Sequence, residues 1–527
     1  MPADDGPLRY RAPVLAMHAM AASEHPLVTQ TGIDIMRRGG NAFDAALAMS
    51  ALLPVVKPGR SHLGGDAYIL ARPAAEPAIT AICSGGKAPS GATRERYAGG
   101  IRQRGGAAAA VPGLVDAWEV FARRWCTMPA RDLLAPAIAY ARDGVPVSRE
   151  LELVLAGARG MFAKYDALAR MLWVGGEPPR MGQVLRQPAL ARTLEAIADG
   201  GRNAFYRGEV ASTIVRAVRD AGGYMAEEDL AGHEADVLEP LSVDYRGYTV
   251  YETPPNSQGL ILLEELKIVE GFGMRAWGHL SADAVHHMVE AKKLAFEDRL
   301  RFAGDPAFVD FDPARLLTDE WAAERRTRID PQRAAAISSP APATDTTSFV
   351  VADAAGNLCS FIQSLYAPFG CAVGIPELGI IMNNRMTGFS LDPASPNVLA
   401  PGKRTMHTLN TYMVFREGRP FMIGNTPGGD YQVQTNLQVI TGVLDFGLDA
   451  QAAVDAPRWG HNAEALIVER EMPAATRSEL ARRGHDVQVQ PRATNPTGRP
   501  QAIVIDPASG ALIGGSDARG EGAAAGW

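Results

Sequence analysis

The sequence predicts a layered α/β sandwich built from two unequal parts. Three observations predict it. Residues up to about 330 carry their apolar positions mainly at helical spacing. Residues 330–345 are mostly Ala, Pro and Ser and have little to bury. From Thr346 onward the texture changes to short β-branched and aromatic runs bounded by turn residues. Strands flanked by helices bury their faces in layers, and 527 residues are too many for one simple core.

The elements follow in order. Asn41, after Gly39-Gly40, is a candidate N-cap for a helix running through Ala45 to Val56. Helical patterns cover about 114–125, 131–142, 189–199, 209–221, 257–270 and 281–301. Residues 241–252 alternate instead and are rich in Tyr, Val and Thr around Arg246-Gly247, which predicts a hairpin. After the 330–345 linker, Thr346–Ala352 reads as a strand, Asp353–Asn357 as a turn and Leu358–Tyr366 as a second strand. Further strands are expected near 378–383, 411–415, 420–424, 465–469 and 500–505, and helices near 433–445 and 473–483. There is no internal repeat.

Composition narrows the function classes. A net charge of −7 without any dense Lys/Arg run argues against nucleic acid as a partner. Cys83, Cys126, Cys359 and Cys371 form no CxxC pair and read as small buried hydrophobes. The apolar stretch from Ala45 to Val56 is too short to span a membrane and contains Pro54. The first residues carry Asp4 and Asp5 and no apolar signal core, so no membrane association and a cytoplasmic location are expected. A GxSxG elbow and an HExxH metal motif are both missing, and Gly520-Glu521-Gly522 has no room for a following helix. The sequence implies no metal and no cofactor.

The chemistry centres on Thr346. A loose linker runs directly into it, and the hairpin sets a second hydroxyl beside it. A three-residue loop, Ala354-Ala355-Gly356 with Gly356 left-handed, pairs Asp353 with Asn357 and carries the register back to Thr346 opposite Ser364. Directly opposed residues have Cβ atoms about 5 Å apart, within reach of a hydroxyl–hydroxyl hydrogen bond. Such a Thr can attack the carbonyl of Asp345, the residue before it. An N→O acyl shift and hydrolysis between Asp345 and Thr346 would free an α-amine with a pKa of about 7.7–8.0, a general base carried by the nucleophile itself. Asn425-Thr426-Pro427-Gly428-Gly429-Asp430 is the candidate oxyanion loop, because adjacent glycines let backbone N–H groups approach closely.

Taken together these residues resemble the gamma-glutamyltranspeptidase family of N-terminal nucleophile hydrolases. Gly39-Gly40-Asn41-Ala42-Phe43-Asp44-Ala45-Ala46 is similar to the family's first motif. Leu63-Gly64-Gly65-Asp66, Val111-Pro112-Gly113, Asn203-Ala204-Phe205-Tyr206-Arg207-Gly208 and Tyr245-Arg246-Gly247-Tyr248 follow in family order. So do Asp345-Thr346-Thr347, Asn383-Asn384, Pro427-Gly428-Gly429 and Ala456-Pro457-Arg458. The resemblance covers nearly the whole chain. It implies a four-layer αββα sandwich, an α/β (α+β) fold, cut into a large subunit, 1–345, and a small subunit, 346–527, that remain associated. The large subunit is expected to be mostly helical, and a homodimer of that heterodimer is possible in the family. Thr346 aligns with the processing and nucleophilic Thr, Ser364 with its supporting hydroxyl, and Gly428 and Gly429 with the oxyanion-hole glycines.

The departures bear on substrate. Gly85 stands where gamma-glutamyl enzymes hold the α-carboxylate with Arg, and Gly388 where they hold the α-amine with Asp. Tyr366 replaces a substrate-contacting Asn, and His407-Thr408 replaces a Ser-Ser pair. A zwitterionic head without partners would cost several kcal/mol to bury. Ser360 to Ser364, the segment around His407 to Asn410, and Gly428-Gly429-Asp430 resemble the branch that includes oxamate amidohydrolase. By that resemblance Arg385, His407, Thr408, Tyr366, Asn384 and Asp430 are the candidate substrate contacts, with Arg385 and His407 suited to a carboxylate. The expected substrate is a small-molecule amide of a carboxylate-bearing acyl group. Glutathione hydrolysis or gamma-glutamyl transfer, a cephalosporin-type acylase, and an uncleaved binding protein of the same fold are the alternatives.

Overall fold

The computed structural model describes residues 11–337, 345–492 and 496–527. Fourteen strands make the two large sheets: β1 (Val14–Ala16), β2 (Ala19–Ser23), β3 (Asp66–Arg72), β4 (Thr80–Ser84), β5 (Asp236–Leu238), β6 (Leu241–Tyr245), β7 (Tyr248–Glu252), β8 (Asp345–Asp353), β9 (Leu358–Tyr366), β10 (Tyr412–Arg416), β11 (Arg419–Asn425), β12 (Gln501–Ile505), β13 (Leu512–Ser516) and β14 (Ala523–Gly526). One seven-stranded sheet runs β1-β13-β12-β11-β10-β7-β6, the other β14-β2-β8-β9-β3-β4-β5. Their facing sides share a core that includes Met20, Tyr68, Val350 and Ile362 from one sheet and Met413, Ile423 and Ile503 from the other.

Helices cover the outer faces. On the sheet that holds β8 lie α1 (Pro26–Arg37), α2 (Ala42–Val56), α3 (Leu114–Trp125), α4 (Ala130–Asp143), α5 (Pro188–Tyr206) and α6 (Gly208–Asp220). Their side chains, among them Leu47, Leu52, Leu134 and Leu194, pack with Phe349, Val351 and Phe361. On the other sheet lie α7 (Gly259–Glu270), α8 (Ala282–Phe302) and α9 (Tyr431–Leu444), whose Leu263, Val289 and Leu437 pack with Val250, Val414 and Val504. The layer order is therefore αββα, as the resemblance implied. Alternation explains it: Val350 faces the inter-sheet core while Phe349 and Val351 face the helices. No helix among the described residues is long and apolar enough to cross a membrane.

The N-terminal part differs from expectation in its strands. Most of its regular structure is helical, as expected, but β1–β7 also precede residue 330 and supply three of seven strands to one sheet and four of seven to the other. Ala19–Ser23 is buried along its whole length and Asp66–Arg72 nearly so. Such strands are covered on both faces and lack the alternation that marks a half-exposed strand. The hairpin at Arg246-Gly247 is present, with both residues at positive φ (55° and 81°). Near 378–383 the strand is just Ile380–Ile381, paired with Gly374–Ile375, and Met382 adds a single bridge to Gly64. Of the expected linker, residues 338–344 lie outside the described residues. The four cysteines are free, and Cys126 is only partly buried.

Candidate active site

Thr346 sits second in β8 and is buried. From Thr347 to Ala352 the pairing with β9 follows the predicted register, and between Asp345 and Thr347 it shifts, so that Asp345 faces Tyr366. At this irregularity the Asp345 carbonyl oxygen lies within hydrogen-bond distance of two hydroxyls, and bulges commonly re-aim groups in this way. Thr346 Oγ1 lies 2.6 Å from the Asp345 carbonyl oxygen and 3.2 Å from Ser364 Oγ. Ser364 Oγ lies 2.7 Å from the same carbonyl oxygen and accepts the Tyr366 N–H at 2.7 Å. Two hydroxyl protons serve these three oxygen contacts, so Thr346 O–H can donate to the Asp345 carbonyl or to Ser364 Oγ but not to both. When Thr346 O–H donates to Ser364, Ser364 O–H donates to the carbonyl and polarises the carbon beside Thr346 Oγ1. Tyr366, at φ +81°, turns the strand end so that its N–H faces Ser364.

The glycine loop joins β11 to α9. Asn425 pins its start to the hairpin, donating to Phe349 O at 2.9 Å and Ser360 Oγ at 2.9 Å. Gly428 and Gly429 have φ of 132° and 57°, backbone that L side chains rarely adopt. Among the described residues their N–H groups donate no hydrogen bond, and they stand at the start of α9, where the helix favours negative charge. Gln258 fixes the loop from the large part of the chain, donating to Gly429 O at 3.0 Å and Thr408 O at 2.6 Å. Arg299 Nη1 bridges Gln258 Oε1 at 2.9 Å and Asp430 Oδ1 at 2.6 Å.

Arg385 opens a second feature. It follows Asn384 in a short 3-10 turn and is 1% exposed. Its guanidinium carbon lies 4.3 Å from the centroid of the Tyr366 ring. Nε donates to Asp66 Oδ2 at 3.0 Å, while both Nη atoms are buried without a partner among the described residues. Asp66 also accepts the Gly86 N–H at 2.9 Å and His407 Nε2 at 3.1 Å. Burial would raise the Asp66 carboxyl, but the His407 hydrogen bond and the Arg385 charge outweigh it and hold the group below its ordinary value. Burial, with Arg385 adding to it, lowers His407 to about 4.

Several expected contacts thus have other work. His407 Nδ1 accepts the Leu409 N–H at 3.2 Å and Nε2–H donates to Asp66, so His407 stands behind Arg385 and has no donor left for a carboxylate. Asn384 accepts the Ala367 N–H at 3.0 Å and donates to Gln103 O at 3.4 Å, holding the turn rather than facing outward. Asp430 is paired with Arg299, and Thr408 offers its carbonyl to Gln258. Of the expected contacts, Arg385 stacks on Tyr366 and keeps both Nη atoms without a partner among the described residues. Sequence reasoning gave no role to Asp66, Gln258, Arg299 or Arg60, although the acid directly after Gly64-Gly65 was a signal for Asp66.

The two glycine departures are closed in space. A Cβ on Gly85 would meet Tyr68 Oη at 2.6 Å and His407 Cδ2 at 3.1 Å, and one on Gly388 would meet Thr405 Oγ1 at 2.9 Å. Neither position has room for a charged clamp. Away from the Thr346 hairpin, His286, Glu290 and His485 bring three possible metal ligands together. They already satisfy one another and their neighbours: the imidazoles meet at 2.8 Å and Glu290 holds Lys293 at 2.7 Å.

With this geometry in view, comparison with known proteins is consistent throughout. The family profile described as Gamma-glutamyltranspeptidase matches residues 28–527. A glutathione hydrolase-like YwrD proenzyme of Bacillus subtilis (strain 168) is 39% identical over 97% of this chain and 99% of its own. An oxamate amidohydrolase proenzyme of Klebsiella pneumoniae is 36% identical over 97% of this chain and 99% of its own. The crystal structure of a cephalosporin acylase from Bacillus halodurans superposes with a TM-score of 0.92 at 38% identity, covering 100% of this chain and 99% of that one.

Proposed function

The chain belongs to the gamma-glutamyltranspeptidase family, and from that premise we propose that it is a self-processing amide hydrolase whose nucleophile is Thr346. The observation that carries the reading is the Thr346 hydroxyl, 2.6 Å from the carbonyl oxygen of the residue before it and 3.2 Å from Ser364 Oγ. In processing, Thr346 Oγ bonds to the Asp345 carbonyl carbon and the C–N bond breaks as the hydroxyl proton passes to nitrogen. Water then cleaves the ester, leaving an Asp345 carboxylate and a Thr346 α-amine. The cut products, 1–345 and 346–527, stay together on this reading. β8 and β9 are hydrogen-bonded on their outer edges to β2 and β3, and β14 pairs with the other edge of β2, so separation would tear one sheet in three places.

In turnover the α-amine takes the proton from Thr346 Oγ as it attacks a substrate amide, then returns it to the leaving amine. The Gly428 and Gly429 N–H groups hold the oxyanion, and water releases the acid. The acyl group we assign is small and bears a carboxylate, as in an oxamate-type amide. The unpartnered Arg385 Nη pair supports this, since a planar guanidinium stacked on an aromatic ring suits bidentate carboxylate binding. The crowding at Gly85 and Gly388 weighs against a gamma-glutamyl head.

The test is a denaturing gel with intact mass on the wild-type protein and Thr346→Ala. Two fragments split between Asp345 and Thr346, absent in the variant, are expected. One full-length species in both after long incubation overturns the mechanism.

A further inference from the structure

Beside the nucleophile lies an ionic cluster that the chemistry above does not use. Arg60 is in the loop that leaves α2. Its backbone carbonyl accepts the Leu365 N–H at 3.0 Å, and Gly59 O accepts the Phe369 N–H at 2.7 Å, so the loop is stitched to β9 immediately beside Ser364. From that anchored position its guanidinium spreads over three carboxyl groups. Nε is 3.1 Å from Asp345 Oδ1, Nη1 is 3.4 Å from Glu24 Oε2, and Nη2 holds Glu150. Lys57 shares Glu150 at 2.6 Å, and Glu24 accepts the Ser348 N–H at 2.8 Å. The cluster therefore grips β8 at two places flanking Thr346: the Asp345 side chain before it and the Ser348 backbone after it.

Building on the self-processing reading, we infer that Arg60 is a positioning residue for self-cleavage that recognises the Asp345 side chain and so fixes the scissile carbonyl against Thr346 and Ser364. The argument is geometric. Asp345 pairs with Tyr366 across a shift in the strand register, so the ladder beyond Thr347 does not fix its position alone. Two side chains from outside β8 constrain that residue: Ser364 by the hydrogen bond to its carbonyl and Arg60 by the ion pair to its carboxyl. Arg60 and Ser364 are themselves coupled, because Leu365 ties the Arg60 backbone to the strand carrying Ser364. A rigid guanidinium fork delivers direction as well as charge, which a lone ammonium does not. Burial pushes the Asp345 carboxyl up to about 7 against the opposing charge of Arg60, so loss of that cation would leave the group neutral and unheld. A cavity of about 400 Å³, lined by Arg60, Leu153, Met161, Asp345, Pro368 and Phe369, borders the same pair.

The experiment follows self-cleavage of freshly produced full-length chain on denaturing gels for the wild type, Arg60→Ala, Arg60→Lys, Asp345→Ala and the double variant Arg60→Ala/Asp345→Ala, with melting curves as a check on folding. Since a misplaced reacting group can cost on the order of a hundredfold, the two Ala variants are expected to cleave roughly 10- to 100-fold more slowly. Arg60→Lys should recover part of the rate, and the double variant should be no slower than the slower single one. Asp345→Ala leaves Arg60 with Glu24 and Glu150, so it tests the contact even where Arg60→Ala fails to fold. Wild-type cleavage rates in Asp345→Ala, or additive losses in the double variant, overturn the inference while leaving the amidase reading intact. An uncleaved wild-type chain overturns both.

Discussion

Removing one oxygen, Ser364 Oγ, should do more damage to the chemistry than to the fold. In Ser364→Ala the Thr346 hydroxyl loses its acceptor at 3.2 Å and the Asp345 carbonyl its donor at 2.7 Å. The Tyr366 N–H, which gives Ser364 Oγ a 2.7 Å hydrogen bond, is left without a partner beside the strand end. An unsatisfied buried N–H costs about 1–3 kcal/mol, a modest loss for a chain with cores on three levels. The carbonyl donor acts where charge develops, and removing one such donor costs about 10²–10³ in rate, or about 3–4 kcal/mol of barrier. The assay is the first-order appearance of the two fragments on a denaturing gel, run beside a thermal melt. Ser364→Thr retains the oxygen and is expected to cleave near the wild-type rate. A Ser364→Ala chain that melts lower yet cleaves as fast as wild type would refute the assigned role, because it would reduce Ser364 to a packing residue.

Two further outcomes follow from the buried charges. Arg385→Met should raise KM for a carboxylate-bearing amide by roughly 10- to 100-fold, the worth of about 1.5–3 kcal/mol for a charged hydrogen bond, with a much smaller change for an uncharged analogue of the same length; equal changes for both substrates in steady-state kinetics would remove Arg385 from carboxylate binding. Burial lowers His62 to about 3, so the unfolded chain, with an ordinary His value of about 6.5, takes up the proton first. The stabilisation is present in full above 6.5 and is lost as pH falls toward the folded value, amounting to about 2 kcal/mol by pH 5. His62 Nδ1 accepts the Ile381 N–H at 3.3 Å, which Gln can also do, so His62→Gln should show a shallower fall in melting temperature between pH 6.5 and 5. Parallel curves would count against it.

The reach of the sequence is clearest at the hairpin. Gly356, at φ +90°, closes the turn that the local residues dictate, and period-two alternation then carries the register to Thr347 and Gln363, next to the Thr346 and Ser364 hydroxyls, without any knowledge of the rest of the chain. The Arg246-Gly247 turn and the helices Leu114–Trp125 and Ala282–Phe302 were legible for the same reason, since spacing and turn chemistry are local. The ladder's shift at Asp345 was not legible, because it arises where β8 meets Tyr366 at the end of β9.

What the sequence by itself determined, then, was the family, the hairpin that brings the Thr346 and Ser364 hydroxyls together, and the glycine loop. Each of these rests on short-range pattern or on motif order. The tertiary structure alone decided the use of the remaining polar groups. Asp66, Arg385 and His407 lie far apart in sequence and meet as one buried network, in which two ring nitrogens are consumed and two guanidinium nitrogens are left over. Gln258 and Arg299 reach the oxyanion loop from helices more than a hundred residues away, and Arg60 reaches Asp345 across the linker. The physical reason is that a hydrogen-bonding side chain has only a few donors and acceptors, and which of them remain for a ligand depends on every neighbour that folding brings within 3 Å or so.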